Sequence, residues 1–361
     1  MAGIEKLDKN FAFQTKLDLP DVKWYDAKQE PLQLYGVYKP QEQDYYRRMG
    51  ETIAEQTNEG VKTLNLQTAG ARIRFSTDSD YIALHTVVSE VQHMWNMSPS
   101  GSSSFDLYED CDGHSRYRGT FLAPPTLEKE YEYLLPLNLT KKMRNYTIHF
   151  PLYTGVESVY VGVQESATVA NGLPYENALP VLYYGSSITQ GGCASRPGLA
   201  YQSIIARDMN RDFINLGFSG SARAEEIIAE YIAKIPCSAF VYDYDHNAPS
   251  LEHLQNTHER MFKTIRAANP DLPIIIVGRP DYWMFSKAFH EGNCKRREVH
   301  MTTYLNARAA GDQNVYYVDG MSLFMGEKPD ECTVDRCHPN DIGFVRMANA
   351  IGCVLNMIFD D

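Results

Sequence analysis

The sequence predicts an α/β protein, a parallel sheet with helices on both faces, preceded by an antiparallel β-sandwich. Three observations carry this reading. From Val181 onward, short apolar runs alternate with stretches of helical periodicity. Between Leu32 and Ser166, apolar and polar residues alternate with period two, and turn residues separate the runs. Between these halves, Ala167 to Pro180 carries Gly172, Pro174 and Pro180, the composition of a boundary. At roughly 150 residues per domain, 361 residues suggest two, which we draw at 1–170 and 178–361.

In the first half, Ala71–Ser76 sets Ile73 and Phe75 against arginines, and Tyr81–Val88 follows the Asp78-Ser79-Asp80 turn. Later strand candidates are Ser104–Tyr108, Arg116–Phe121, Tyr131–Leu137, Asn145–Phe150 and Ser158–Val163. Many short strands with no strong helical stripe make a sandwich. His85, His93, His114 and His149 fall among these strands and read as packed or surface side chains rather than ligands.

In the second half, strands are expected at Val181–Tyr184, Phe213–Leu216, Ala239–Tyr244, Ile274–Val277 and Val315–Val318. Helices are expected at Leu199–Met209, Ala224–Ile235, Ser250–Ala268, Lys287–Ala309 and Asp341–Phe359. Strand–helix alternation calls for a parallel sheet, whose ligands bind beyond the carboxyl ends of the strands. In the last helix, Ile342, Val345, Ala348, Ile351, Val354, Leu355 and Ile358 form a stripe read as core.

Composition narrows the function classes. A net charge of −12 argues against nucleic acid or an anionic membrane as partner and favours an uncharged substrate. The first residues lack the apolar run of a secretory signal, and no stretch approaches the ~20 apolar residues of a membrane span. Seven scattered cysteines suit a reducing compartment, so a cytoplasmic location is expected. Cys332 and Cys337 flank His338 without the paired spacing of a zinc site, so no metal is expected. The Asn-x-Ser/Thr sites at Asn96, Asn138 and Asn145 read as chance in an unsecreted chain.

Chemistry gathers at the ends of the second-half strands. Gly185-Ser186-Ser187 closes the first strand just before a helix, a corner that can expose a hydroxyl beside backbone N–H groups. A serine needs a base to take its proton and an acceptor to fix that base's tautomer. Asp335 and His338, three residues apart in a turn before the last helix, could supply both. The Ser187 N–H, the Gly220 N–H and the Asn247 amide are candidate donors to an oxyanion.

Gly185-Ser-Ser187-Ile-Thr-x-Gly191, Gly220, Asn247 and Asp335-x-x-His338-Pro339 together resemble the blocks of the SGNH (GDSL-type) hydrolases. The resemblance implies a flavodoxin-like α/β fold and cleavage of sugar or lipid esters. It maps the nucleophile onto Ser187, the oxyanion donors onto Gly220 and Asn247, and the Asp-x-x-His pair onto Asp335 and His338. Phe105-Asp106-Leu107-Tyr108 looks like the Gly-x-Asp-Leu-Tyr domain that precedes one branch of these hydrolases. Two departures stand out: Ser186 replaces the usual Asp or Asn, and Ala248 follows Asn247 where the family more often has Asp.

The expectation is therefore a serine esterase removing acyl groups, foremost acetyl, from a carbohydrate or other small ester through an acyl-enzyme on Ser187, with no cofactor. The choice of sugar over lipid follows the family analogy and the appended sandwich. Trp95, Tyr282 and Trp283 are candidates to stack on a sugar. Within the long polar loop from Gln92 to Ser104, residues His93 to Ser98 are expected to line one wall of the pocket above Ser187, from the same chain or from a partner in a homo-oligomer. The alternatives are a lipase, thioesterase or arylesterase with the same machinery, or a carbohydrate-binding protein on an inactive scaffold.

Overall fold

The computed structural model of the chain describes residues 17, 19–111, 113–280 and 287–360. These divide into two compact units. One comprises the described residues to Arg48, Leu66–Tyr175 and Arg196–Gly198; the other comprises Met49–Asn65, Glu176–Ser195 and Leu199 onward.

The first unit is a β-sandwich. Strands β1 (Val22–Asp26), β4 (Tyr81–Glu90), β7 (Glu130–Pro136) and β9 (Gly155–Gln164) form one antiparallel sheet, in the order β1-β9-β4-β7. The second sheet holds β2 (Gln33–Tyr35), β3 (Arg72–Thr77), β5 (Phe105–Cys111), β6 (His114–Phe121), β8 (Arg144–His149) and β10 (Val169–Asn171). Ile73, Phe75, Leu107 and Ile148 from this sheet pack with Ile82, Leu84, Val159 and Val161 from the other, which is how two alternating faces make a core. The short helix α3 (Pro99–Ser102) lies in the loop before β5.

Two features differ from expectation, and a third, at the motif, was not foreseen. Strands β1, β2 and β10 lie where no strand was expected, and β10 falls inside the proposed linker; at three residues, β2 and β10 are too short to show a period. The arginines of β3 do not face water: Arg74 pairs with Asp110 at 3.3 Å, and the Tyr175 ring lies 4.0 Å from its guanidinium. The motif residue Asp106 is buried and binds the tripeptide assigned to this unit, accepting from Gly198 N at 2.9 Å and Arg196 Nη1 at 3.1 Å.

The second unit carries a five-stranded parallel sheet, β11 (Val181–Gly185), β12 (Phe213–Gly217), β13 (Ala239–Asp243), β14 (Ile274–Val277) and β15 (Val315–Val318), ordered β12-β11-β13-β14-β15. All five strands lie where the sequence placed them. The helices are α4 (Ser187–Gln190), α5 (Tyr201–Asp208), α6 (Glu226–Ile232), α7 (Leu251–Ala268), α8 (Lys287–Ala309), α9 (Gly320–Leu323) and α10 (Asp341–Asp360). Leu182, Tyr184, Leu216, Phe240, Tyr242 and Ile276 from the strands meet Ile228, Leu254, Met261 and Ile265 from helices in one core cluster.

Helices α1 (Glu51–Thr57) and α2 (Glu59–Leu64) join this unit although their sequence lies in the first half. Each buries a single residue, Ala54 or Val61, so no helical stripe announced them. Helix α10 does reach the length and hydropathy of a membrane span, which corrects the expectation that no stretch would; 39% of its apolar window is buried here. Gly343, Phe344, Met347, Ala348, Ile351, Gly352 and Leu355 are its buried residues, with Phe344 stacked on Tyr201 of α5, whereas Ile342 and Val345 of the expected core stripe are exposed.

Candidate active site

The site begins with a steric requirement. A Cβ on Gly185 would stand 2.1 Å from both Asp243 O and Thr189 Oγ1, so only glycine lets β11 turn this tightly against β13. Helix α4 starts at once. Ser186 caps it, its Oγ accepting from Ile188 N at 3.1 Å, which is how a serine serves where the family usually has Asp or Asn. The turn is then tied from below. Thr189 Oγ1 donates to Asp243 Oδ2 at 3.1 Å, and Asn215 Nδ2 and Gln202 Nε2 donate to Thr189 O at 2.8 and 2.6 Å. Ser187, first residue of the helix, is 7% exposed on a backbone with little freedom.

The second part is the turn before α10. Asp335 Oδ1 accepts from the N–H groups of Cys337 (3.1 Å) and His338 (2.8 Å), while Val334 N donates to His338 O at 3.0 Å. With one carboxylate oxygen holding the turn, the other, Oδ2, meets His338 Nδ1 at 2.7 Å. The opposite ring nitrogen, Nε2, lies 2.9 Å from Ser187 Oγ. Hydroxyl, imidazole and carboxylate thus stand in a continuous relay, with the Nδ1 proton committed to Asp335 and Nε2 left to accept from the serine. Residues 151 positions apart are brought together as the sequence implied.

The third part is a set of donors. Gly220 follows β12 with φ +67°, a left-handed conformation that glycine adopts without strain. Among the described residues its N–H has no hydrogen-bond acceptor. Its loop is pinned on both sides: Ser219 N donates to Gln190 Oε1 at 3.0 Å, and Asn58 at the start of α2 donates to Ser221 O at 3.0 Å and Glu225 Oε1 at 2.7 Å. Asn247 ends the short 3-10 turn after β13; its Oδ1 accepts from Ala222 N at 3.3 Å. That bond fixes the amide so that the NH₂ group points away from Ala222, and among the described residues nothing accepts from it. Arg296 on α8 spans the same turn, donating to Asp245 O (3.2 Å), Asp245 Oδ1 (2.9 Å) and Ala248 O (3.0 Å).

Sequence reasoning missed Asn58 and Arg296, which reach this site from remote segments without a motif, and the part played by Gln190, the unspecified position of the Gly185–Gly191 block. It also missed two buried groups. Burial, against hydrogen bonds from Thr189 and Tyr201, pushes the Asp243 carboxyl up to about 7. Burial, with Asp335 and Cys337 adding to it, pushes the Cys193 thiol up to about 12. Of the suggested stacking residues, Trp95 lies in the sandwich unit and is 86% exposed, whereas Tyr282 and Trp283 lie outside the described residues.

With this geometry in hand, comparison with known proteins decides the family. Residues 178–356 match the GDSL-like lipase/acylhydrolase family, and residues 22–169 match the GxDLY N-terminal domain of SGNH-hydrolase-type esterases. Residues 178–356 form a GDSL-like lipase/acylhydrolase domain. The chain is a carboxylic ester hydrolase with a GxDLY domain before its catalytic unit. No curated protein sequence matches this esterase.

Among solved structures, a protein from Bacteroides ovatus ATCC 8483 classed as a GDSL-like lipase superposes with TM-score 0.84 at 29% identity, over 94% of this chain and 98% of its own. A salicylyl-acyltransferase from a tetracycline biosynthetic pathway gives 0.74 at 20%, over 94% and 99%. An acetyl xylan esterase from the rumen bacterium Butyrivibrio proteoclasticus gives 0.56 at 12%, over 93% and 98%. At such low identity the last two likenesses bear on the fold of the esterase alone.

Proposed function

We propose that this esterase removes O-acetyl groups from a carbohydrate through an acyl-enzyme on Ser187. The observation that carries the reading is the relay from Ser187 Oγ to His338 Nε2 (2.9 Å) and from His338 Nδ1 to Asp335 Oδ2 (2.7 Å). In the first half-reaction, Ser187 Oγ attacks the ester carbonyl while its proton passes to Nε2. The charge that develops on the carbonyl oxygen is met by the Ser187 and Gly220 N–H groups and the Asn247 amide. His338 then protonates the departing sugar hydroxyl. In the second half-reaction, Nε2 takes a proton from water, which attacks the acyl-serine, and the released Ser187 recovers its proton.

Asp335 stays ionised throughout and stabilises the imidazolium formed at each step. The chain's own residues supply every proton transfer, so the reaction as written draws on no cofactor. The carbohydrate preference is supported by fold likeness to the acetyl xylan esterase and by the absence of net positive charge that an anionic substrate would favour.

Activity on an acetylated oligosaccharide panel, a small aryl acetate and a long-chain acyl ester, read by mass spectrometry, tests the proposal. Deacetylation of at least one oligosaccharide with kcat/KM above that for the long-chain ester is expected. Preference for the long-chain ester would overturn the carbohydrate assignment and favour a lipase, and no hydrolysis of any ester would overturn the mechanism.

A further inference from the structure

Cys193 lies two residues beyond the left-handed Gly191 that ends α4, and itself has φ +75°. It is buried, and the relay does not use it. Yet one ligand atom each from Cys193, Asp335 and His338 lie within 4.8 Å of one another. A thiol, a carboxylate and an imidazole form a donor set of the kind that holds zinc. Around a tetrahedral zinc ion, with bonds of about 2.0–2.3 Å, such atoms stand roughly 3.4–3.6 Å apart. The sulfur therefore needs to move inward by about 1 Å, within reach of a side-chain rotation, and the 2.7 Å Asp335–His338 contact needs to open by less than that.

We propose that Cys193, Asp335 and His338 form an inhibitory site for a divalent, thiophilic metal ion of the zinc type. Binding forms a metal–sulfur bond, a metal–nitrogen bond and a metal–oxygen bond, and the thiol proton leaves to solvent. If the ion takes Nδ1, the proton that nitrogen held moves to Nε2, which then has no lone pair to accept from Ser187, and the imidazole loses Asp335 as its orienting partner. Nε2, taken instead, can no longer accept the Ser187 proton. Either way His338 ceases to act as a base, so the loss of activity rests on the relay proposed above, whereas metal binding itself does not. Hard ions such as magnesium, which favour oxygen ligands and keep their water, should leave the site alone. Because zinc is not oxidised or reduced, removing it with a chelator restores the relay.

The test uses the full chain, its Cys193→Ser and Cys193→Ala variants, and a Cys337→Ser control, each checked for an unchanged melting transition. Cobalt(II) serves as a spectroscopic probe and buffered zinc as inhibitor, with each variant's activity expressed relative to its own metal-free rate. Cobalt should give the wild type and Cys337→Ser a thiolate-to-metal charge-transfer band that both Cys193 variants lack. Half-inhibition of aryl acetate hydrolysis should need at least tenfold more free zinc in the Cys193 variants, with chelator restoring wild-type activity. The proposal is overturned if wild type shows no thiolate band, if the band follows Cys337 instead, or if the Cys193 variants share the wild-type inhibition curve. Should the wild type prove inactive on every ester, the relay reading fails while the cobalt spectrum still decides the metal site.

Discussion

Asn247 offers a clean separation between catalysis and loop structure, because its two side-chain atoms have different tasks. Oδ1 accepts from Ala222 N at 3.3 Å, the long end of the hydrogen-bond range, on a half-buried side chain. Losing that bond costs the fold on the order of 1 kcal/mol. The amide NH₂, aimed elsewhere, is the proposed donor to the oxyanion, and losing such a donor raises the barrier by about 3–4 kcal/mol, a hundred- to thousandfold in kcat. Asn247→Ala removes both and should show both effects, with KM little changed because the donor bond strengthens only in the transition state. Asn247→Asp keeps the acceptor for Ala222 N but puts a carboxylate oxygen where the donor stood. It should melt within a degree or two of wild type yet lose at least as much kcat as the alanine variant. Steady-state kinetics on an aryl acetate, paired with calorimetry, reads both quantities. An alanine variant that loses stability but keeps kcat within a few-fold, or an aspartate variant with wild-type turnover, would refute the oxyanion role and leave Asn247 a loop tie.

Two further perturbations follow from the geometry. Asp335→Asn keeps an oxygen for the Cys337 and His338 N–H groups but presents NH₂ to Nδ1, which forces the wrong tautomer; kcat should fall by about 10⁴ with the turn intact, and a rate within tenfold of wild type would contradict the relay. The Asp243 carboxyl, raised by burial from 3.8 to about 7, binds its proton more tightly folded than unfolded, so its stabilising contribution is complete below pH ~4 and lost as pH rises to ~7. Asp243→Asn should flatten that decline, by an amount on the order of 4 kcal/mol, in urea midpoints measured from pH 4 to 8; an unchanged slope would show that Asp243 does not titrate there.

How much was legible can be judged residue by residue. The five parallel strands and Ser187, Asp335 and His338 could be read because buried β runs such as Val181–Tyr184 and Ile274–Val277 are locally unambiguous, and because triad chemistry restricts residue types at strand ends. The sandwich strands with full period-two alternation were equally plain. What stayed hidden depends on tertiary neighbours. Asn58 reaches the Gly220 loop across 163 positions, and its helix shows only Val61 as a buried residue. Arg296 reads as one more charge on a polar helix until Asp245 and Ala248 are seen beneath it. Cys193 carried no signal, since its interest lies wholly in its distance from Asp335 and His338.

The central claim, a covalent acyl-enzyme on Ser187, is open to direct observation. The protein is mixed with excess aryl acetate, quenched in acid within the first turnovers, digested and analysed by mass spectrometry. One acetyl group should appear on the peptide spanning Val181 to Gly191, localised to Ser187, form far more slowly in Asp335→Asn and be absent from Ser187→Ala, whose hydrolysis should fall by several orders of magnitude. Acetyl on another residue, or near-normal turnover by folded Ser187→Ala, would contradict the account.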